Sequence, residues 1–175
     1  MATVSAQGQS YIVLASAGTG SLTVLTLDSA GVLSPTLMNK KKFTQVARNV
    51  IDLEIKGLQK LKRNIGSSFD KAVIEIAKCQ SKVIVCGVGK SGLIASKIAA
   101  TLSSVGTPSF NLSASDSSHG DLGSIQKKDV LILISYSGQT NELKNIIQYA
   151  NRNKILLIGI MSKKESILYK ASDIK

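Results

Sequence analysis

The sequence predicts an α/β protein: a three-layer α/β/α sandwich around a parallel sheet, of the flavodoxin-like or Rossmann-like kind. Three observations carry this. Short apolar runs alternate with helical patterns through most of the chain. Those runs are apolar on both alternating faces, as strands buried between two layers must be. The helical stretches between them can serve as crossovers linking parallel neighbours.

The elements follow in order. Residues 1–38 stand apart, with a single charged residue, Asp28. Two β-branched apolar runs, Tyr11 to Ala15 and Leu22 to Leu27, flank Gly18-Thr19-Gly20, and a second turn follows at Asp28-Ser29-Ala30-Gly31. This reads as strand, turn, strand, turn. The segment loosely resembles one hairpin of a β-propeller blade, and a lone hairpin is marginal in water. We take residues 1–38 as an N-terminal extension, β-hairpin-like or disordered, either a natural appendage or a product of fusion or start-site choice. Residues 39–175 form the α/β domain.

From Phe43 the period becomes helical. Val46, Val50, Leu53, Leu58, Leu61 and Ile65 make one stripe. Ser67 or Ser68 is expected to cap the next helix, with a core face of Phe69, Ala72, Val73 and Ile76. Strands are expected at Lys82–Cys86, Ser109–Leu112, Asp129–Ser135 and Ile155–Ile160. Helices are expected at Ser91–Ser104, Asn141–Arg152 and Glu165–Ala171. In open sheets of this kind ligands bind at the carboxyl ends of the strands. Function should therefore lie in the loops after residues 86, 112, 135 and 160.

Composition narrows the function classes. The chain has 175 residues, 43% apolar, enough for a real core. It lacks an apolar stretch long enough to span a bilayer and a secretory leader, so a cytoplasmic protein is expected. Two cysteines, Cys79 and Cys86, and one histidine, His119, cannot form a disulfide framework or a four-ligand zinc site, and no metal is expected. The net charge of +11 invites a nucleic-acid reading. The lysines are scattered apart from Lys40-Lys41-Lys42, aromatics are few, and tryptophan is absent. Stacking platforms for single strands are thus scarce. The charge reads as a solvated lysine surface, with no nucleic-acid partner expected.

Three loops carry chemistry. Gly87-Val88-Gly89-Lys90-Ser91-Gly92 fits G-x-G-x-x-G between a strand and a helix. A dinucleotide site would need an acid at the end of the second strand, where Ser113 stands, and a Walker A motif would need glycine at Ile84. What remains is a close backbone approach and a helix start with Lys90, both favourable to an anion. Ser135-Tyr136-Ser137-Gly138-Gln139-Thr140-Asn141-Glu142 sets three hydroxyls around a glycine where a buried strand meets a helix. Hydroxyls and first-turn N–H groups together make a neutral cradle for phosphate. An ordinary N-cap would explain one hydroxyl, not three. The remaining loop, Ser113 to Gly123, holds His119, which could act there as acid, base or hydrogen-bond donor.

Gly87-Val-Gly-Lys-Ser-Gly92, Thr107-Pro-Ser-Phe110, His119-Gly-Asp-Leu-Gly123 and Ser135-Tyr-Ser-Gly-Gln-Thr-Asn-Glu142 occur in this order at these spacings. Together they closely resemble the sugar isomerase (SIS) domain of arabinose-5-phosphate isomerases, from about residue 43 to the end. The resemblance implies aldose–ketose interconversion of D-arabinose 5-phosphate and D-ribulose 5-phosphate, on the route to the lipopolysaccharide sugar Kdo. It implies a five-stranded sheet, a homotetramer, a sugar-phosphate ligand and no cofactor. By resemblance, Ser135, Ser137 and Thr140 bind the substrate phosphate, and Lys90, Glu142 and His119 match active-site positions. Asp116 stands where the family has an acidic residue before the histidine loop. Gly89, Ser91, Gly138 and Gln139 complete the implied substrate-binding set. A base removes the proton alpha to the carbonyl, giving an enediol or enediolate, and an acid returns it at the neighbouring carbon. Lys90 could stabilise the oxyanion and Glu142 is a candidate base.

Ala171-Ser-Asp-Ile-Lys175 resembles the start of the fifth strand. The family continues with a Glu-containing loop, a final helix bearing another histidine and often a pair of CBS domains. The expectation is therefore a C-terminally truncated domain, an isomerase fragment with reduced or no activity alone. The competing reading is a phosphosugar-binding regulatory module without catalysis. Such regulators carry a helix-turn-helix domain first, and residues 1–42 show no such pair of helices. A Rossmann oxidoreductase is disfavoured by the missing ribose acid.

Overall fold

The computed structural model describes the backbone of residues 2–6, 9–15, 22–27, 33–34, 40–114 and 121–175, and side chains from 43 to 114 and 122 to 175. The chain divides into two compact units, Met1–Ile65 and Gly66–Lys175.

In the first unit four strands, β1 (Ala2–Ala6), β2 (Gln9–Ala15), β3 (Leu22–Leu27) and β4 (Leu33–Ser34), form an antiparallel sheet in sequential order. The two runs expected from sequence are β2 and β3, paired with Tyr11 opposite Thr26 and Ala15 opposite Leu22. Helix α1 (Lys40–Asn64) closes this unit, with Lys62 and Arg63 in its last turn, where cations suit the helix dipole. Of its expected apolar stripe, Val50 is buried, whereas Leu53, Leu58, Leu61 and Ile65 are exposed.

The second unit is the expected α/β sandwich. It runs α2 (Ser67–Ala77), β5 (Val83–Gly87), α3 (Lys90–Ser104), β6 (Ser109–Ser113), β7 (Val130–Ser135), α4 (Lys144–Asn153), β8 (Leu156–Met161) and α5 (Ile167–Ala171). The four strands are parallel, in the order β6-β5-β7-β8. The pleat divides the core between the two faces. On one side Ile84, Cys86, Leu131, Leu133 and Leu157 pack with Leu143, Ile146 and Ala150 around α4, and with Leu168 of α5. On the other, Val83, Val85, Val130, Ile132 and Ile158 meet Ala95 and Ala99 of α3, with Ala72 and Ile76 of α2 at the margin. Every residue of β5 is buried, which is why its sequence shows no polar alternation. Among the described residues a parallel bridge pairs Ile158 of β8 with Ile174, beside the end strand of the sheet.

Two local expectations need correction. Neither Ser67 nor Ser68 caps α2: Gly66 occupies the N-cap position and no side chain bonds there. Gly66 is extended, at φ −157°, so the helix simply begins one residue earlier than a serine cap would need. The core face of α2 is also narrower than its stripe. Ala72 and Ile76 reach the sheet, but Phe69 and Val73 are 53% and 48% exposed. Periodicity locates an apolar stripe, and the sheet takes only the part it can reach.

At the amino ends of the strands a partly buried ion pair ties two loops together. Lys82 Nζ lies 2.9 Å from the fully buried Asp129 carboxylate. That carboxylate also accepts the Gln126 N–H at 2.7 Å. Burial alone would raise the Asp129 pKa. Hydrogen bonds from Ser81, Gln126 and Lys82, with the Lys82 charge, outweigh it and hold the group below the usual carboxylate value.

Candidate functional site

The chain leaves β5 for β6 on one side and returns to β7 on the other, so the strand order reverses between the parallel neighbours β5 and β7. A crevice opens outside the carboxyl ends of adjacent strands at such a switch. The pairing of Gly87 with Ile134 puts the loop after β5 beside the loop after β7. Two of the sequence-derived motifs therefore share this edge, although they are more than 40 residues apart in the chain.

In the first loop Gly87 and Gly92 allow strand and helix to touch. A Cβ on Gly87 would lie 2.7 Å from the carbonyl carbon and oxygen of Ser91, and one on Gly92 would lie 2.9 Å from the Gly87 oxygen. Gly89, at φ 58°, is the N-cap of α3. Lys90 is the first helical residue and exposed, with Ser91 half-buried behind it. Beneath the loop Cys86 is buried, and its thiol is pushed up to about 12 by that burial, against a smaller opposing backbone hydrogen bond from Gly87. It is a core residue and not a nucleophile.

The second loop is tightly bonded within itself. Ser135, the last residue of β7, is buried, and its Oγ lies 2.8 Å from the Thr140 Oγ1. The Gly138 N–H donates to Ser135 Oγ at 3.0 Å, and the Gln139 N–H donates to Ser137 Oγ at 3.2 Å. Two hydroxyl protons and one mutual bond leave one O–H of the Ser135–Thr140 pair for another acceptor. Thr140 is the N-cap of a short 3₁₀ turn, Asn141–Leu143, yet its side chain makes no capping bond. Ser137 and Thr140 are half-buried, Gln139 and Glu142 exposed, and the Tyr136 ring 78% exposed. Gly138 is buried at φ 64°, in the left-handed region that glycine enters without strain. The result is a cluster of hydroxyls at a strand end with chemistry suited to phosphate oxygens.

Asp116 and His119 lie outside the described residues. Strand β6 ends at Ser113, so the residue at that strand end is a serine and not the acid a dinucleotide site calls for there. Among the described residues no group of acidic, histidine or cysteine side chains could hold a metal. Nor is any described helix long and apolar enough to cross a membrane.

The connection between β8 and α5 is the loop after residue 160 that the sequence marks for function, although no side chain in it stands out there. The Ser162 N–H donates to the Tyr136 carbonyl at 3.1 Å, and the Leu168 N–H donates to the Gly138 carbonyl at 3.0 Å. A Cβ on Gly138 would overlap Ser166 Oγ and Cβ. Ser166, expected inside a helix starting at Glu165, is instead the N-cap of α5, and its neighbour Gly138 lies 28 positions away in sequence (166 − 138).

A profile of the SIS domain matches residues 75–175. The chain belongs to the SIS domain family. Curated relatives in that family include the arabinose 5-phosphate isomerase KdsD of Yersinia pestis, 45% identical over 132 residues, covering 75% of this chain and 40% of that protein. The arabinose 5-phosphate isomerase GutQ of Salmonella typhi is 42% identical over 125 residues, covering 71% of this chain and 39% of that protein. The chain thus spans about two fifths of the length of these relatives. Among solved structures, an E. coli CFT073 protein in complex with a sugar phosphate is 36% identical, with a TM-score of 0.74 and coverage of 78% of this chain and 73% of that one. The four-stranded parallel sheet with its flanking helices is the SIS fold.

Proposed function

We propose that this SIS domain binds a pentose phosphate in the crevice between the ends of β5 and β7. We further propose that it belongs to an isomerase interconverting D-arabinose 5-phosphate and D-ribulose 5-phosphate. The observation that carries the reading is the hydroxyl cradle of Ser135, Ser137 and Thr140 around the buried Gly138. The relatives named as arabinose 5-phosphate isomerases support the choice of substrate.

In this reading the phosphate sits on the cradle and the sugar extends toward the β5 loop. Glu142 takes the proton alpha to the carbonyl, and Lys90 stabilises the enediolate oxygen. His119 and Asp116 act on the sugar end, His119 as acid, base or hydrogen-bond donor. Ser91, Gly89 and Gln139 line the site. We place the reaction in the cytoplasm, on the route to Kdo and lipopolysaccharide, with a homotetramer as the working assembly. The domain division at residues 38 and 39 belongs to the same proposal.

Calorimetric titration with arabinose 5-phosphate, ribulose 5-phosphate and free arabinose is the direct test. Saturable binding of both phosphate esters, with free arabinose at least about tenfold weaker, is expected when a phosphate cradle supplies the affinity. Equal binding of arabinose and its phosphate would sink the reading. A ribulose 5-phosphate turnover assay then separates an isomerase from a binding module, since only the former makes arabinose 5-phosphate.

A further inference from the structure

We infer that Ser166, outside the site described above, is a positioning residue for the phosphate cradle. It holds Gly138 where its N–H meets Ser135 Oγ. The inference rests on the proposed sugar-phosphate site.

Ser166 is fully buried and hydrogen-bonded within its own segment. Its hydroxyl donates to the Lys163 carbonyl at 2.7 Å and accepts the Tyr169 N–H at 3.2 Å, capping α5. The hydroxyl is thus fixed by its own segment and does not bond to the cradle. Its Cβ and Oγ instead fill the space that a side chain on residue 138 would need. The backbone is tied on both sides of this contact, by Leu168 N–H to Gly138 O and by Ser162 N–H to Tyr136 O. The segment from Ser162 to Leu168 therefore supports the cradle from outside, with Ser166 as the wedge between them. A site held this way loses affinity when its support shifts, even though the support never touches ligand.

Substitutions separate the wedge from the cap. Glycine is tolerated at an N-cap position at little cost, whereas alanine there loses the cap. Ser166→Gly therefore removes the wedge with the cap cost kept small, and Ser166→Ala removes the cap but keeps a Cβ against Gly138. Ser172, at the C-cap of the same helix, is a control. It is buried, and its Oγ donates to the Leu168 carbonyl at 2.6 Å, so its loss perturbs the helix without emptying the space beside Gly138.

The experiment titrates the full chain and its variants with arabinose 5-phosphate by calorimetry, with thermal unfolding alongside. Ser166→Gly should weaken binding roughly tenfold, the scale of a small misplacement at a site. Ser166→Ala should bind within about threefold of wild type while melting lower, and Ser172→Ala should bind within about twofold while also melting lower. Gly138→Ala should bind more weakly than any of these, and Gly138→Ala/Ser166→Gly should recover part of the loss, because the second change vacates the space the new methyl needs. Wild-type affinity in Ser166→Gly, or an equal loss in Ser172→Ala, would overturn the inference. So would a double variant no better than Gly138→Ala. If the wild-type chain itself binds no sugar phosphate, the site assignment fails first and the positioning role falls with it.

Discussion

Ser135 illustrates the residue scale. A buried hydroxyl is costly unless bonded, and here it accepts the Gly138 N–H and pairs with Thr140. Ser135→Ala should cost about 1–2 kcal/mol of stability by leaving those groups without that partner. It should also weaken arabinose 5-phosphate binding more than that of free arabinose, and an equal effect on both ligands would remove it from the phosphate site. The two cysteines differ for the same kind of reason. Cys79 is half-buried and donates to the Lys82 and Lys128 carbonyls, whereas Cys86 is fully buried. With its pKa near 12, Cys86 would be thiolate to only about one part in ten thousand at pH 8. A thiol reagent at pH 8 should therefore label Cys79 alone in the native chain and both after unfolding. Rapid native labelling of Cys86 would contradict its burial.

At the scale of elements, two contacts fix how strands meet their neighbours. The Gly87–Gly92 approach brings α3 against the end of β5 and so sets where Lys90 emerges. Gly92→Ala should destabilise by about 1–3 kcal/mol, because its methyl meets backbone oxygen, which cannot rotate away. At the other end the Lys82–Asp129 pair joins the residues that precede β5 and β7. Asp129 is depressed in the folded state, so its contribution is present above the unfolded value, about pH 4. It is lost as pH falls through the lower folded value. Urea unfolding from pH 6 down to pH 2 should show a decline that is flatter in Asp129→Asn. At pH 7 Lys82→Met should cost about 3 kcal/mol, since it leaves a buried carboxylate without its countercharge.

At the scale of the whole molecule, strand order creates the site. The reversal between β5 and β7 places the Lys90 loop beside the hydroxyl loop, so residues distant in sequence can face one ligand. Charge belongs to this scale too. Among the described residues every lysine except Lys82 is exposed, which accords with the solvated lysine surface expected from sequence. The unit Gly66–Lys175 also exposes Phe69, Leu93, Ile94 and Val105. Sedimentation of the purified chain should show a species heavier than a monomer if the proposed homotetramer holds. A monomer across the accessible concentration range would remove that part of the proposal.

Much of this was legible in the chain itself. The strands were readable because burial on both faces removes polar residues from them, and the same cause makes Val130 to Ser135 nearly uniform. The hydroxyl loop and the glycine loop were readable because their chemistry is local: each motif spans less than ten residues. The choice of buried face on α2 was not, since Phe69, Ala72, Val73 and Ile76 form one stripe and only contact with the sheet selects Ala72 and Ile76. Ser166 was invisible for a related reason. Its neighbour Gly138 is distant in sequence, and steric exclusion between two segments leaves no periodic trace in either. Local patterns, set by backbone period and side-chain chemistry, determined the elements and the candidate ligand class. Packing between elements, which depends on shape and order in space, decided which motifs meet and what holds them.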